Sequence, residues 1–108
     1  MVTQQANAVF GAIADPTRRA ILDLLRGQEL RAGELATHFT VSRPAIAKHV
    51  GVLKRAGLLR ERREAQARLY SLDPAALANV DRWLSPYRLY WAARLSDLKR
   101  TVEEDHRG

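Results

Sequence analysis

Residues 42–72 read SRPAIAKHVGVLKRAGLLRERREAQARLYSL, and how this stretch folds decides the architecture. Ser42 is a helix-capping residue type, and Ile46, Val50 and Leu53 recur at the i, i+4, i+7 spacing of one buried helical face. The pattern predicts a helix from Ser42 to about Ala56, ended by Gly57. Leu58–Arg63 and Arg68–Leu72 then read as two antiparallel strands around Glu64-Ala65-Gln66-Ala67. Upstream, Leu30, Leu35 and Phe39 mark a short helix near Ala32–His38, followed by the turn Phe39-Thr40-Val41. Two helices joined by a tight turn, the second longer and basic, form a helix-turn-helix pattern, and the hairpin adds a wing.

The same stretch concentrates the charge. Between Arg43 and Arg68 stand eight basic residues (Arg43, Lys48, Lys54, Arg55, Arg60, Arg62, Arg63, Arg68) against Glu61 and Glu64, a local net charge of +6. The whole chain of 108 residues also carries +6, so the remainder is balanced. A helix and hairpin bearing a concentrated positive charge suit a polyanionic duplex. At about 100° per residue, the face opposite Ile46, Val50 and Leu53 presents Pro44, Lys48, Gly51 and Arg55, flanked by Ala45 and Ala47. Small residues beside cations permit entry into a major groove about 12 Å wide. Lys48 and Arg55 reach base edges or phosphates, Ala47 suits a thymine methyl, and Ser42 with the open N–H groups of the helix start suits a phosphate. Arg62, Arg63 and Arg68 on the hairpin can follow the backbone or enter a minor groove. Tyr70 is expected to pack on the hairpin.

Outside this centre, Val9, Phe10 and Ile13 form a short helical stripe. Asp15-Pro16 is a cap followed by a first-turn proline, opening a helix that turns Ile21, Leu22, Leu24 and Leu25 inward and stops near Gly27. Asp73-Pro74 repeats that signal. Leu77, Val80, Leu84, Tyr87, Trp91, Leu95, Leu98 and Val102 then follow at steps of three or four, with Pro86 expected to break or kink the helix. The terminal EEDHRG is expected to fray. With Trp83 and Tyr90, this C-terminal stripe is either core or a seam between two copies. The seam reading places Val9, Phe10, Ile13, Tyr87, Trp91, Leu95 and Leu98 between protomers, because pairing supplies both burial and a second half-site. An aromatic-lined pocket for a small organic effector is the further alternative for this stripe.

The expected architecture is one mainly α-helical winged helix-turn-helix domain spanning residues 1–108. In it, 1–14 and 74–104 are dimerisation helices, 32–56 the helix-turn-helix and 58–72 the wing. The chain has no cysteine, which excludes disulfides and thiolate metal sites. His38, His49 and His106 are scattered, so no metal, cofactor or catalytic residue is expected. Ser42 and His49 stand about 10 Å apart along one helix, beyond the reach of a nucleophile and its base. His49 is assigned a structural or phosphate-contacting role. MVTQQANAVFGAIADP has neither a basic region nor a long apolar run, and nothing approaches the ~20 apolar residues of a membrane span. A cytoplasmic protein without membrane contact is the expectation.

The series VFGAIADPTRRAILDLL and GELATHFTVSRPAIAKHVGVLKRAGLLRERREAQARLYSL resembles the ArsR-type family of bacterial winged-helix transcriptional regulators, over roughly Val9 to Val102. The resemblance implies a homodimer that sets its recognition helices in successive major grooves of an operator, and a repressor. It also implies that Ser42, Arg43, Pro44, Ala47 and Lys48 face DNA. Metal-sensing members carry Cys-x-Cys where this chain reads Leu30-Arg31-Ala32-Gly33-Glu34-Leu35. Others use Asp-x-His and His-x-x-His on the C-terminal helix, a spacing that Asp81, Asp97 and Asp105-His106 lack. The wing turn, often glycine in the family, holds Ala65, which suggests a longer loop. Two other classes share the charge pattern: a winged-helix module that binds an acidic protein, and a nucleoid-type binder without sequence preference.

Overall fold

A computed structural model describes residues 3–107. Each helix of the N-terminal half starts on a polar group that satisfies open backbone donors. Thr3 accepts from the Ala6 N–H at 3.1 Å to start α1 (Gln4–Ile13), and Asp15 accepts from the Arg18 N–H at 3.0 Å to start α2 (Pro16–Leu24). Glu34 accepts from the Arg31 N–H at 3.2 Å at the start of α3 (Ala32–Thr37), and Ser42 accepts from the Ala45 N–H at 3.2 Å at the start of α4 (Arg43–Arg55). Gly27 and Gly57 take φ of +83° and +81°, the left-handed conformation that ends a helix and that glycine adopts without a Cβ penalty.

The wing comprises β2 (Leu59–Glu64) and β3 (Ala67–Leu72), paired antiparallel from Leu59↔Leu72 to Glu64↔Ala67. The expected four-residue loop is therefore a two-residue turn, Ala65-Gln66. Ala65 closes it at φ +54°, the only positive φ outside glycine among the described residues. A third strand, β1 (Leu30–Arg31), pairs with β3 and gives the sheet order β1-β3-β2. Two residues are too few to show alternation, so this strand leaves no trace in the sequence pattern.

The core lies where α1, α2, α3, α4 and the sheet meet. Val9, Ile21, Leu25, Leu35, Leu53 and Leu58 are fully buried there, with Ile46, Val50, Leu59 and Tyr70 beside them. Val9 is thus a core residue of its own protomer, with no surface left for a second copy, contrary to its expected place at a seam. Ile13 is half-buried against the same core.

After a 3-10 turn (Pro74–Leu77) capped by Asp73, α5 (Ala78–Arg107) leaves the body of the molecule. It runs unbroken through Pro86. One lost backbone bond is a small fraction of a 30-residue helix, and Arg88 donates to Asp81 at 2.6 Å across the proline. The helix also continues through the acidic residues expected to fray. At 1.5 Å per residue α5 is about 45 Å long. The radius of gyration is accordingly 19.2 Å, against about 13 Å for a compact chain of this length. Near its start, Trp83 meets Phe10 of α1 edge-on at 5.6 Å. Beyond that, Tyr87, Trp91, Leu95, Leu98 and Val102 stay exposed in the protomer, so this part of the stripe is not intramolecular core.

Candidate nucleic-acid interface

Helix α4 buries Ile46, Val50 and Leu53 and exposes Arg43, Pro44, Ala47 and Lys48. The cap fixes what its N-terminus can offer. Ser42 Oγ is engaged with the Ala45 N–H, Ile46 N–H bonds to the Ser42 carbonyl, and Pro44 has no N–H. The Arg43 N–H is what remains, so the helix start contributes less to a phosphate than expected, and the Arg43 side chain more. Arg55 folds back along the helix, and its Nη1 lies 3.3 Å from where a Gly51 Cβ would stand. Gly51 therefore makes room for Arg55 within the helix surface, a second reason for a small residue there.

On the wing, residues opposite each other share a face. Leu59, Glu61 and Arg63 share one face with Leu72, Tyr70 and Arg68, the face that turns toward the core. Arg60, Arg62 and Glu64 share the other. Arg63 and Arg68 stand directly opposite, like charge against like charge, an arrangement that is unfavourable unless an anion comes between. Arg68 and Tyr70 also line a groove of about 220 Å³ with Arg43, Ala47 and the small residues Ala32, Gly33 and Ala36 of α3. The groove joins the start of α4 to the wing, so Arg43 and Arg68 border one concavity.

Three of the eight basic residues are engaged by carboxylates. Arg62 holds Glu29 with two hydrogen bonds, of 2.8 and 2.7 Å, and reaches Glu64 at 3.3 Å. The Arg62 bond holds the Glu29 carboxyl below its ordinary range, and Glu29 in turn pushes the Arg62 guanidinium pKa upward. Arg60 meets Asp73 at 3.2 Å and lowers its pKa. Lys54 lies 3.3 Å from Glu61, joining α4 to the wing. The Tyr70 hydroxyl, and after it Lys54, keep the Glu61 carboxyl below its usual value, while burial and then Glu61 raise the Tyr70 hydroxyl. Arg62, expected on DNA, is thus a strut between the wing and the loop before β1. Arg43, Lys48, Arg55, Arg63 and Arg68 form no ion pair with a carboxylate among the described residues, although Arg68 acts on Glu61 and the Tyr70 hydroxyl along its own wing face. These five cations are the surface that an external polyanion would meet.

His49 stands beside Arg18, whose Nη1 lies 3.2 Å from its Nδ1, and so takes the structural alternative of the two roles expected for it. Arg18 carries no distinguishing signal in the sequence, since a basic residue beside a helix cap looks like ordinary surface. Among the described residues, no three His, Asp or Glu side chains gather closely enough to hold a metal ion, and no helix is long and apolar enough to cross a membrane.

Comparison with known proteins agrees with this geometry. A helix-turn-helix domain family matches residues 13–62. The chain is 45% identical over 78 residues to the transcriptional repressor SdpR of Bacillus subtilis (strain 168), covering 72% of this chain and 87% of SdpR. It is 34% identical over 89 residues to the transcriptional activator HlyU of Vibrio cholerae, covering 82% and 81%. A crystal structure of an ArsR family transcriptional regulator superposes with a TM-score of 0.74 at 31% identity, over 85% of this chain and 97% of that one. With the helix-turn-helix, the wing and the long C-terminal helix in place, this chain belongs to the ArsR family of DNA-binding transcriptional regulators.

Proposed function

We propose that the chain acts in the cytoplasm as a homodimeric repressor, with α4 of each protomer in the major groove of an operator half-site and each wing on flanking backbone. The observation that carries this reading is the division of the eight cations. The five outside these ion pairs lie on the open face of α4 and on one wing face, and two of them, Arg43 and Arg68, line a common groove. Arg43 and Lys48 flank the small residues Pro44 and Ala47, which lets them approach base edges, while Arg63 and Arg68 hold phosphate. Arg55, lying along the helix over Gly51, is placed for backbone. Pairing is supported by the exposed apolar side chains of α5, a surface costly to leave in water on a monomer. Phe10, Tyr87, Trp91, Leu95 and Leu98 form the seam in this proposal, with half-buried Ile13 at its margin. The sign of regulation follows SdpR, a repressor; HlyU, an activator, is the opposite case among the relatives.

The test is binding of a duplex taken from upstream of the chain's own coding sequence, against a scrambled duplex, across a salt series. Preference for the first duplex is the expected result. Equal affinity for both would make the protein a nucleoid-type binder, and no binding at low salt would leave an acidic protein as the partner. Arg43→Ala and Lys48→Ala should reduce the preference itself, whereas Arg63→Ala and Arg68→Ala should weaken both duplexes alike.

A further inference from the structure

Arg18 joins three helices. Its Nε donates to the Ala12 carbonyl at 2.7 Å and its Nη2 to the Gly11 carbonyl at 3.1 Å, so the guanidinium closes the C-terminal end of α1, where the helix dipole favours a cation. The third nitrogen, Nη1, lies 3.2 Å from His49 Nδ1 in the middle of α4. Guanidinium nitrogens only donate, so this contact is a hydrogen bond when His49 Nδ1 carries no proton and accepts. On the other side, Asp15 Oδ2 lies 3.9 Å from the same Nδ1. That carboxylate also caps α2 through the Arg18 N–H.

His49 is therefore half-buried between a cation and an anion that both stand at the N-terminal end of α2, Arg18 in its first turn and Asp15 at its cap. A proton on Nδ1 abolishes the Arg18 bond, sets two cations about 3.2 Å apart and leaves Asp15 as the acceptor. Among the described residues, Arg18 and Asp15 are the charged groups that a hydrogen bond or ion pair places against His49. Along α4, one turn either way from His49 brings Ala45, Ile46, Val52 and Leu53, and α1 carries no titratable side chain. Because α1 also holds Trp83 of α5 through Phe10, Arg18 is the hydrogen-bonded junction between the helix that reads DNA and the helices at the proposed seam.

We propose that Arg18 and His49 form a positioning link that seats the recognition helix against α1, and that a proton on His49 Nδ1 releases the link and weakens DNA binding. The sign is diagnostic. An added positive charge on a DNA-binding surface ordinarily tightens binding through the phosphates; release of the link loosens it.

The experiment uses the full chain and the upstream duplex at fixed ionic strength, from about pH 8 to about pH 5.5, the span over which imidazole changes charge. Wild-type affinity should fall about tenfold, equivalent to about 1.4 kcal/mol. His49→Gln, whose amide oxygen can accept from Arg18 without titrating, should show a flat or rising profile as pH falls. Parallel profiles for the two proteins would overturn the proposal. The inference rests on DNA binding by α4, so a second measurement is made without DNA. In NMR spectra of the free protein, amides from Gly11 to Ala14 should shift with one titration in the wild type and stay still in His49→Gln. Identical behaviour there refutes the link whatever the DNA result, and a difference there sustains the link even if the chosen duplex is not bound.

Discussion

Arg62 and Arg63 are sequence neighbours of equal charge on opposite faces of the wing, and replacing each in turn with alanine separates geometry from net charge. Both variants lose one positive charge per protomer, so a purely electrostatic account of the surface expects equal effects. The structure expects them to differ. Arg62 is held by Glu29 in a two-bond pair at 2.8 and 2.7 Å, and a phosphate could recruit it only by displacing that carboxylate. Arg63 has no such partner among the described residues and faces Arg68 across the strand register.

A phosphate contact steepens the slope of log affinity against log salt by about 0.9 in duplex DNA. In a dimer, Arg63→Ala removes two contacts and should make the slope shallower by about 1.8, with affinity at about 0.1 M salt lower by a factor on the order of 10 to 100. Arg62→Ala should leave the slope within about 0.5 of wild type, because it frees Glu29 rather than a phosphate. Its cost should appear in folding instead, as a lower melting temperature. The assay is fluorescence anisotropy with a labelled duplex between about 50 and 200 mM salt, paired with thermal melts of the free proteins. Equal slopes for the two variants, or a larger loss for Arg62→Ala, would refute the division of the wing into a strut face and a DNA face.

Three further outcomes are expected. Ala65→Gly should raise unfolding free energy by about 0.5 to 1 kcal/mol in urea titrations, since glycine accepts the positive φ of the wing turn without a Cβ penalty. Trp91→Ala should shift sedimentation toward monomer, with the dimer dissociation constant rising on the order of a hundredfold, because an exposed indole lost from each of two copies is a central loss to a seam; an unchanged dimer would place the seam elsewhere. The depressed carboxyls of Asp15, Glu29, Glu61, Asp73 and Asp81 all bind protons more weakly in the folded chain than in the unfolded one. Their contribution is present above the unfolded values near pH 4 and is lost as pH falls through the folded ones. Melts should therefore decline as pH falls below about pH 4, and Glu29→Gln should flatten part of that decline.

The elements legible in the sequence are those with a local cause. Asp15-Pro16, Ser42 and Asp73-Pro74 start helices through bonds that reach only two or three residues ahead, and Ile46, Val50 and Leu53 disclose their common face by spacing alone. What stayed hidden depends on residues far apart in the chain. The two-residue strand β1 exists because β3 is there to pair with it. Val9 resembles Phe10 in type and spacing, yet one enters the core and the other meets Trp83, a distinction set by where α5 crosses α1.

The same reasoning explains the candidate site. A count of charges between Arg43 and Arg68 points to a polyanion-binding surface, but carboxylates both inside and outside the count determine which cations remain available to it. Glu29 lies 33 residues before Arg62, and Asp73 lies beyond the far end of the stretch. Removing Lys54, Arg60 and Arg62 from the contact surface leaves Arg43, Lys48, Arg55, Arg63 and Arg68, and the first and last of these border one groove. The engaged cations tie the wing to α4, through Lys54–Glu61, and to the body, through Arg62–Glu29. Rigidity matters here because base contacts from α4 and phosphate contacts from the wing must be satisfied in one docking pose, and a wing free to swing would lose orientational freedom on every binding event. In the proposed function, sequence-specific recognition by so small a protein thus draws on both groups of cations, one by contacting DNA and the other by holding the first in place.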